Sequence, residues 1–292
     1  MYLTHQPPFI TPQILSNLVL ATDLDGTLLA GTQETRRRIR DLFSGALPGA
    51  KLIYVTGRGL ESIIPLLSDS TLARPDYIIA DVGATILRGD LSPVDPLHHD
   101  IAVRWPGAQI VLQQLARFPA LQRQNVPQER RCSFFISEGG VTDELRAAVE
   151  ELDCDLLWSA GRYLDVLPRG VSKGAALKGL ARTEGFELES VIVAGDTLND
   201  LSMYTTGFRG IVVGGAEPAL VERVRKMARV FIAKDEGCGG ILAGLAHHGT
   251  VVESSPKAQR SMEERGEADL VMVYHRPPFD EVLEDGVLKH KR

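Results

Sequence analysis

A run of unbroken apolar residues that ends in a polar or acidic turn, repeated down the chain with a helix-forming stretch after it, most limits what this polypeptide can become. LVLAT at 18–22 runs straight into DLDGT, and KLIYV at 51–55 into TGRG. A third run, DYIIADVGA, begins near Tyr77, and VIVA at 191–194 opens onto GDTLND. A strand with one face in water alternates apolar and polar residues, whereas one that is apolar throughout fits burial on both faces, as in parallel sheets. Helix patterns follow at 33–42 and 60–68 and, late in the chain, at 174–184, 198–206, 218–227 and 239–247, with further strands at 210–213 and 230–233. This alternation predicts an α/β fold: a Rossmann-like parallel sheet with helices on both faces.

Between about residues 89 and 165 the rhythm breaks. A helix is expected at 109–117, a strand at 132–136, a helix at 143–152, and short strands around DLLWS and RYLDVL. Shorter, mixed strands suit a small α+β module inserted into the sheet domain. The expected organisation is a core at 1–88 and 169–249, the insert at 89–168, a linker at 250–269 and a separate tail at 270–292. Eight of the nineteen residues at 251–269 are charged, with little apolar periodicity, before the chain turns apolar again at LVMVY.

Composition narrows the function classes. A net charge of -6 argues against a broad nucleic-acid footprint, while a bound metal and a few local cations still allow a small anionic substrate. The opening MYLTHQPPFITPQIL carries no basic leader or long apolar run, and no stretch reaches membrane-spanning length. Cys132, Cys154 and Cys238 are odd in number and unpatterned, which suits free thiols. A cytoplasmic protein without membrane or nucleic-acid partners is expected.

Four polar segments lie at strand ends or at a helix start, where open α/β sheets place ligands. Hydrolysis of a phosphate ester needs a nucleophile, a proton donor for the leaving oxygen and cations for the phosphoryl charge. In Asp23-Leu24-Asp25-Gly26-Thr27, Asp23 is a candidate nucleophile and Asp25 a candidate acid that then activates water. A plain acidic turn is the alternative; an EF-hand loop is not, because its glycine belongs at the sixth position and Gly26 is fourth from Asp23. In Thr56-Gly57-Arg58 a hydroxyl and backbone amides can serve phosphate oxygens, and Arg58 is either a substrate contact or a solvated charge. In Ser172-Lys173-Gly174, Lys173 can neutralise phosphate and keep Asp23 ionised, although a lone lysine is as a rule solvated. In Gly195-Asp196-Thr197-Leu198-Asn199-Asp200, Asp196 is a candidate magnesium ligand and Asp200, four residues on, can add a ligand or hold a water. An aspartate-rich helix cap is the alternative there.

As an ordered set the four segments resemble the signature motifs of the haloacid-dehalogenase superfamily, over residues 18–249. The resemblance implies a magnesium-dependent phosphatase that works through an aspartyl-phosphate. It implies catalytic roles for Asp23, Asp25, Thr56 and Lys173, phosphate or substrate contacts from Thr56, Gly57, Arg58, Lys173 and Asn199, and a metal set of Asp23, Asp25, Asp196 and Asp200. Dehalogenases of the family lack the second aspartate of the first motif; Asp25 therefore implies phosphoryl chemistry. Asp25 and Thr56 are 31 positions apart, too few for a cap, whereas Thr56 and Lys173 are 117 apart. The insert thus takes the place of the family's larger α+β cap, which excludes water and selects the leaving group.

A finer similarity is to sugar-phosphate phosphatases such as the sucrose-phosphate and mannosyl-phosphoglycerate enzymes, whose cap segments RCSFF at 131–135 and GRYLDVLP at 161–168 resemble. That similarity implies that Arg131, Arg162 and Tyr163 face a sugar, with packing or solvent exposure an equal alternative for each. The tail at 270–282, LVMVYHRPPFDEV, is similar to the opening of glucosylglycerol-phosphate synthases. It implies glucosylglycerol phosphate as substrate, compatible-solute synthesis as setting, and a glycosyltransferase domain fused beyond the end of this chain; an extra edge of the phosphatase core is the alternative. Sucrose-phosphate, trehalose-phosphate and mannosyl-3-phosphoglycerate phosphatases are rivals within the enzyme class. An inactive sugar-phosphate-binding domain that regulates a synthase is the rival from another class, disfavoured by the presence of both Asp23 and Asp25.

Overall fold

The computed structural model describes residues 17–250 except 48 and 128. The expected linker, beyond Thr250, and the tail lie outside the described residues. Two sheets form. The larger contains β1 (Val19–Thr22), β2 (Lys51–Val55), β3 (Tyr77–Ala80), β4 (Thr85–Arg88), β9 (Val191–Gly195), β10 (Arg209–Gly214) and β11 (Val230–Glu236), in the order β11-β10-β9-β1-β2-β3-β4. The smaller contains β5 (Gln122–Arg123), β6 (Cys132–Phe135), β7 (Cys154–Ser159) and β8 (Tyr163–Pro168), in the order β5-β6-β8-β7. The helices are α1 (Gln33–Asp41), α2 (Leu60–Ile63), α3 (Leu97–Ala102), α4 (Ala108–Leu115), α5 (Asp143–Glu150), α6 (Lys173–Thr183), α7 (Leu201–Tyr204), α8 (Pro218–Val224) and α9 (Gly237–His247).

The larger sheet is parallel throughout except at β4, which runs against β3. Its central strands are apolar on both sides because both sides are covered. Val19 and Ala21 pack with Ile53, Val193 and, from α6, Leu177 and Leu180. Leu20 points the other way, among Leu52, Ile192, Ile39 of α1 and Leu245 of α9. Burying one such leucine completely contributes roughly 1.5–3 kcal/mol. From β1 the chain proceeds outward to β3 on one side and, after the insert, from β9 to β11 on the other. The carboxyl ends of β1 and β9 therefore meet at the switch point where open α/β sheets bind ligands.

The sequence pattern and the structure differ in several places, among them α3, which lies inside the expected insert but packs Ile101 into the core of the larger sheet. The run from Tyr77 is not one strand: Asp81, Val82 and Gly83 all take positive φ (51°, 59° and 111°), and the chain folds back as β4. The stretch expected as a helix at 60–68 ends as α2 at Ile63, and Ile64–Ser68 tightens into a 3-10 turn because Pro65 lacks an amide donor. The helix expected at 198–206 is a 3-10 turn, Leu198–Asp200, followed by the short α7.

In the smaller sheet, α4 and α5 cover one face, with Val111, Leu115, Leu145 and Val149 packed among Cys132, Phe134, Leu164 and Val166. The antiparallel register pairs Ser133 with Asp165, Phe135 with Tyr163 and Leu157 with Asp165, which puts these five side chains on the opposite face. Leu157 packs against the core of the larger sheet, so that face is turned toward it. The architecture is thus a mostly parallel sheet core with an α+β cap. All three cysteines are buried free thiols. Among the described residues no helix is long and apolar enough to cross a membrane.

Candidate active site

Each of the four polar segments leaves an element aimed at the same crevice. Asp23 follows β1 directly, its amide bonded to Ala194 O of β9 at 2.9 Å. Thr56 follows β2, Asp196 follows β9, and Lys173 opens α6. The first loop passes very close to Asp196. Gly26 has φ 76°, and a Cβ there would fall 2.1 Å from Asp196 Oδ2, so a side chain is excluded by both conformation and space. Thr27, fully buried, donates from Oγ1 to Asp196 Oδ1 at 3.0 Å.

Lys173 is completely buried, against the usual habit of lysines, and its ammonium spends all three donors. Nζ donates to Asp23 Oδ1 at 2.7 Å, to Asn199 Oδ1 at 2.8 Å and to Asp200 Oδ1 at 2.6 Å. Its place at the first turn of α6 is held by the N-cap Ser172, whose Oγ accepts from the Ala175 amide at 3.1 Å. Asp200 turns its second oxygen to the amides of Asp196 and Thr197, both at 3.0 Å, and so ties the β9 loop around itself. Glu217 steadies the same loop by accepting from the Leu198 amide at 2.8 Å.

One carboxylate oxygen from each of Asp23, Asp196 and Asp200 lies within 4.8 Å of the others. Three acids face one lysine, and the imbalance is visible in their proton affinities. Burial, opposed by Lys173 but reinforced by Asp200 and Asp196, pushes Asp23 up to about 8, so Lys173 by itself does not keep it ionised as the sequence leads one to expect. Burial and then Asp200 push Asp196 up to about 6. Burial alone would lower Lys173, but Asp200 and Asp23 outweigh it and hold the ammonium above its ordinary value. An all-oxygen set with surplus negative charge fits a hard divalent cation such as magnesium. Asp25 stands outside this set: its side chain is 60% exposed and forms a forked pair with Arg58, at 2.8 Å to Nε and 2.5 Å to Nη2.

The structure also brings together the residues expected around a phosphate. Thr56 is fully buried and its Oγ1 accepts from the Arg58 amide at 3.1 Å. A Cβ on Gly57 would lie 3.9 Å from Asn199 Nδ2, so the Asn199 amide group faces the Thr56–Gly57 loop. On the cap, Arg162 is exposed at the β7–β8 turn and stacks over Phe135 and Tyr163, 5.1 and 4.7 Å from the ring centroids. Arg131 lies elsewhere. It is 6% exposed and paired with Asp165 at 2.7 Å and Asp81 at 3.1 Å. Thr27, Glu217 and Asp81 were not singled out from the sequence. Asp81 carried the available signal, an acid directly after an apolar strand, as Asp23 and Asp196 are.

Comparison with known proteins agrees with this geometry. The family described as Sucrose-6F-phosphate phosphohydrolase matches residues 16–249. The chain is 47% identical over 279 residues to a Glucosylglycerol-phosphate synthase of Pseudomonas anguilliseptica, covering 94% of this chain but only 37% of that protein. It is 31% identical to the Mannosylfructose-phosphate phosphatase of Agrobacterium fabrum, over 79% of this chain and 96% of the relative. The sucrose-phosphatase of Synechocystis, solved with sucrose and phosphate, superposes with a TM-score of 0.69 at 26% identity, over 80% of this chain and 98% of that one. With a family match across the cap and the whole crevice, this chain belongs to the sucrose-6F-phosphate phosphohydrolase family of haloacid-dehalogenase-type phosphatases, hydrolases of phosphoric monoesters.

Proposed function

We propose that this chain is a magnesium-dependent phosphatase that releases phosphate from a glycosyl-glycerol phosphate, with glucosylglycerol phosphate as the substrate. The observation that carries the chemistry is the buried lysine shared by Asp23, Asn199 and Asp200 beside Asp196. The substrate reading rests on the synthase relative, of whose length the chain spans 37%.

In this reading Asp23 attacks phosphorus and forms an aspartyl-phosphate. Asp25 gives its proton to the leaving oxygen and then takes one from the water that hydrolyses the acyl phosphate. Thr56 and its loop receive the phosphoryl oxygens, and Lys173, its donors held by Asp23, Asn199 and Asp200, offsets their charge. Arg58, which pairs with Asp25 here, would exchange that carboxylate for phosphate. Magnesium would be held by Asp23, Asp196 and Asp200, where it neutralises phosphoryl charge. Arg162 and Tyr163 on the cap would meet the glycosyl group. The apolar cluster of the smaller sheet, drawn from Val111 to Val166, supports a cap inserted in a core that resumes before residue 169, while Val94, Ile101 and Leu167 pack with the larger sheet and favour a cap narrower than 89–168. The partial coverage of the synthase supports 270–292 as the start of a fused glycosyltransferase domain.

The test is phosphate release with magnesium across glucosylglycerol phosphate, sucrose phosphate, trehalose phosphate and mannosyl-3-phosphoglycerate, run beside an Asp23→Asn variant. Highest kcat/KM on glucosylglycerol phosphate is expected, with turnover of the variant down by several orders of magnitude. A variant that keeps more than about 5% of the rate removes Asp23 from the nucleophile's role, since losing the nucleophile of a covalent route costs far more.

A further inference from the structure

We propose that Arg131 is a positioning residue, a pivot that ties the orientation of the cap sheet to the Thr56–Arg58 loop through Asp81, and not a contact to the sugar. The kinetic part of this inference rests on the phosphatase reading above.

Arg131 immediately precedes β6, and its guanidinium lies between the two sheets. On the cap side Nη1 donates to Asp165 Oδ1 of β8 and to Ser133 Oγ, both at 2.7 Å, while Ser133 Oγ donates to the same Asp165 oxygen at 2.5 Å. On the core side Nε donates to Asp81 Oδ1 at 3.1 Å. The other Asp81 oxygen accepts from Thr85 Oγ1 at 2.8 Å. Arg131 and Asp165 are 8% and 10% exposed at their side chains and Asp81 14%, so water does little to replace a lost partner. A rigid forked cation that holds one carboxylate from each sheet is suited to fixing their relative placement.

The core end of the link is not a passive surface. The Asp81 amide donates to Arg58 O at 2.9 Å and the Val82 amide to Thr56 O at 3.1 Å, so the turn after β3 supports the loop on which the phosphate contacts sit. The next residue, Gly83, packs on the start of α6: a Cβ there would lie 2.5 Å from Ser172 O. Asp81 and Val82 hold positive φ without being glycine, a conformation that persists only where the surroundings enforce it. Arg131 is one of those surroundings. A shift of the cap at Arg131 is therefore felt at Asp81 and, through two backbone hydrogen bonds, at Thr56 and Arg58.

The test uses Arg131→Met, Arg131→Lys, Asp81→Asn and the double variant Arg131→Met/Asp81→Asn in the full chain. Turnover of p-nitrophenyl phosphate and of glucosylglycerol phosphate is measured with magnesium, well below each variant's Tm. We expect kcat to fall roughly ten- to hundred-fold on both substrates alike, as misplacement of a positioned group does. Asp81→Asn should reproduce the loss, the double variant should be no worse than the poorer single one, and Arg131→Lys should recover part of the rate. Hydrogen exchange supplies a readout that needs no catalysis: the amides of residues 56–58 and 81–83 should exchange faster in Arg131→Met and Asp81→Asn, with β1 and β9 unchanged. A loss confined to glucosylglycerol phosphate would make Arg131 a sugar contact and overturn the proposal. So would additive losses, or a lowered Tm with normal kcat. If the wild-type chain turns over neither phosphate, the phosphatase reading fails, and unchanged exchange at 56–58 would then separately refute the pivot.

Discussion

Lys173 and Arg162 illustrate two ways in which a single cation can be held beside a crevice. Lys173 has surrendered its hydration, and its three donors are committed to Asp23, Asn199 and Asp200. Arg162 remains exposed and is steadied by the rings of Phe135 and Tyr163. In the proposed reading the first acts on the phosphate end, common to every candidate substrate, and the second on the end that distinguishes them. Lys173→Ala is therefore expected to cripple p-nitrophenyl phosphate and glucosylglycerol phosphate equally. Arg162→Ala should lower kcat/KM on glucosylglycerol phosphate by roughly 5- to 100-fold, the worth of a polar contact of about 1–3 kcal/mol, and leave p-nitrophenyl phosphate nearly untouched. Equal losses on both substrates for Arg162→Ala would take it off the sugar and move attention to Tyr163.

At the level of elements, the crevice depends on loops and helix starts whose own hydrogen bonds are made locally. The β9 loop is closed by Asp200 against its own backbone, and the loop after β1 is tied to it by Thr27. Helix α6 presents Lys173 because Ser172 satisfies the Ala175 amide and starts the helix at that residue. Ser172→Ala should cost about 1 kcal/mol of stability, as loss of an N-cap does. For a chain of this size that is a fall in Tm of roughly 2–4 °C. Ser172→Asp, which can cap equally well, should restore most of it. A calorimetric scan of the three proteins decides the matter; an unchanged Tm for Ser172→Ala would mean that tertiary packing alone sets the start of α6.

For the whole molecule, the cluster of acids couples folding to pH and, in the proposed reading, to metal. Without metal, Asp23 at about 8 and Asp196 at about 6 hold protons more tightly in the folded state than at their ordinary 3.8. The stability they contribute is complete below about pH 4 and is lost as pH rises through those two values. The Tm of the metal-free protein should consequently fall between about pH 5 and about pH 8.5. Magnesium held as proposed would bind the ionised carboxylates, so it should raise Tm more at the upper pH than at the lower. Scans in chelator and in magnesium at both pH values test this. A magnesium effect that is equal at the two would detach the metal from Asp23 and Asp196.

Much of this protein was legible in its sequence, because the decisive signals are local. Unbroken apolar runs specify strands covered on both faces, and the acids and glycine that end them must turn at the same edge of a parallel sheet. Asp23, Thr56, Lys173 and Asp196 could therefore be grouped without coordinates. What the sequence left open depends on contacts between residues far apart in the chain. Asp25 and Arg58 are 33 positions apart and choose each other only once β1 and β2 are neighbours. Arg131 reads from the sequence as a residue of a sugar-facing segment. Whether its guanidinium meets a sugar, water or a carboxylate is decided by the docking of the cap, which brings up Asp81, 50 positions away. The turn at Asp81–Gly83 escaped for the same reason: the positive φ of Val82, against the preference of a β-branched residue, is held by the loop of Thr56 and by the packing of Gly83 on α6.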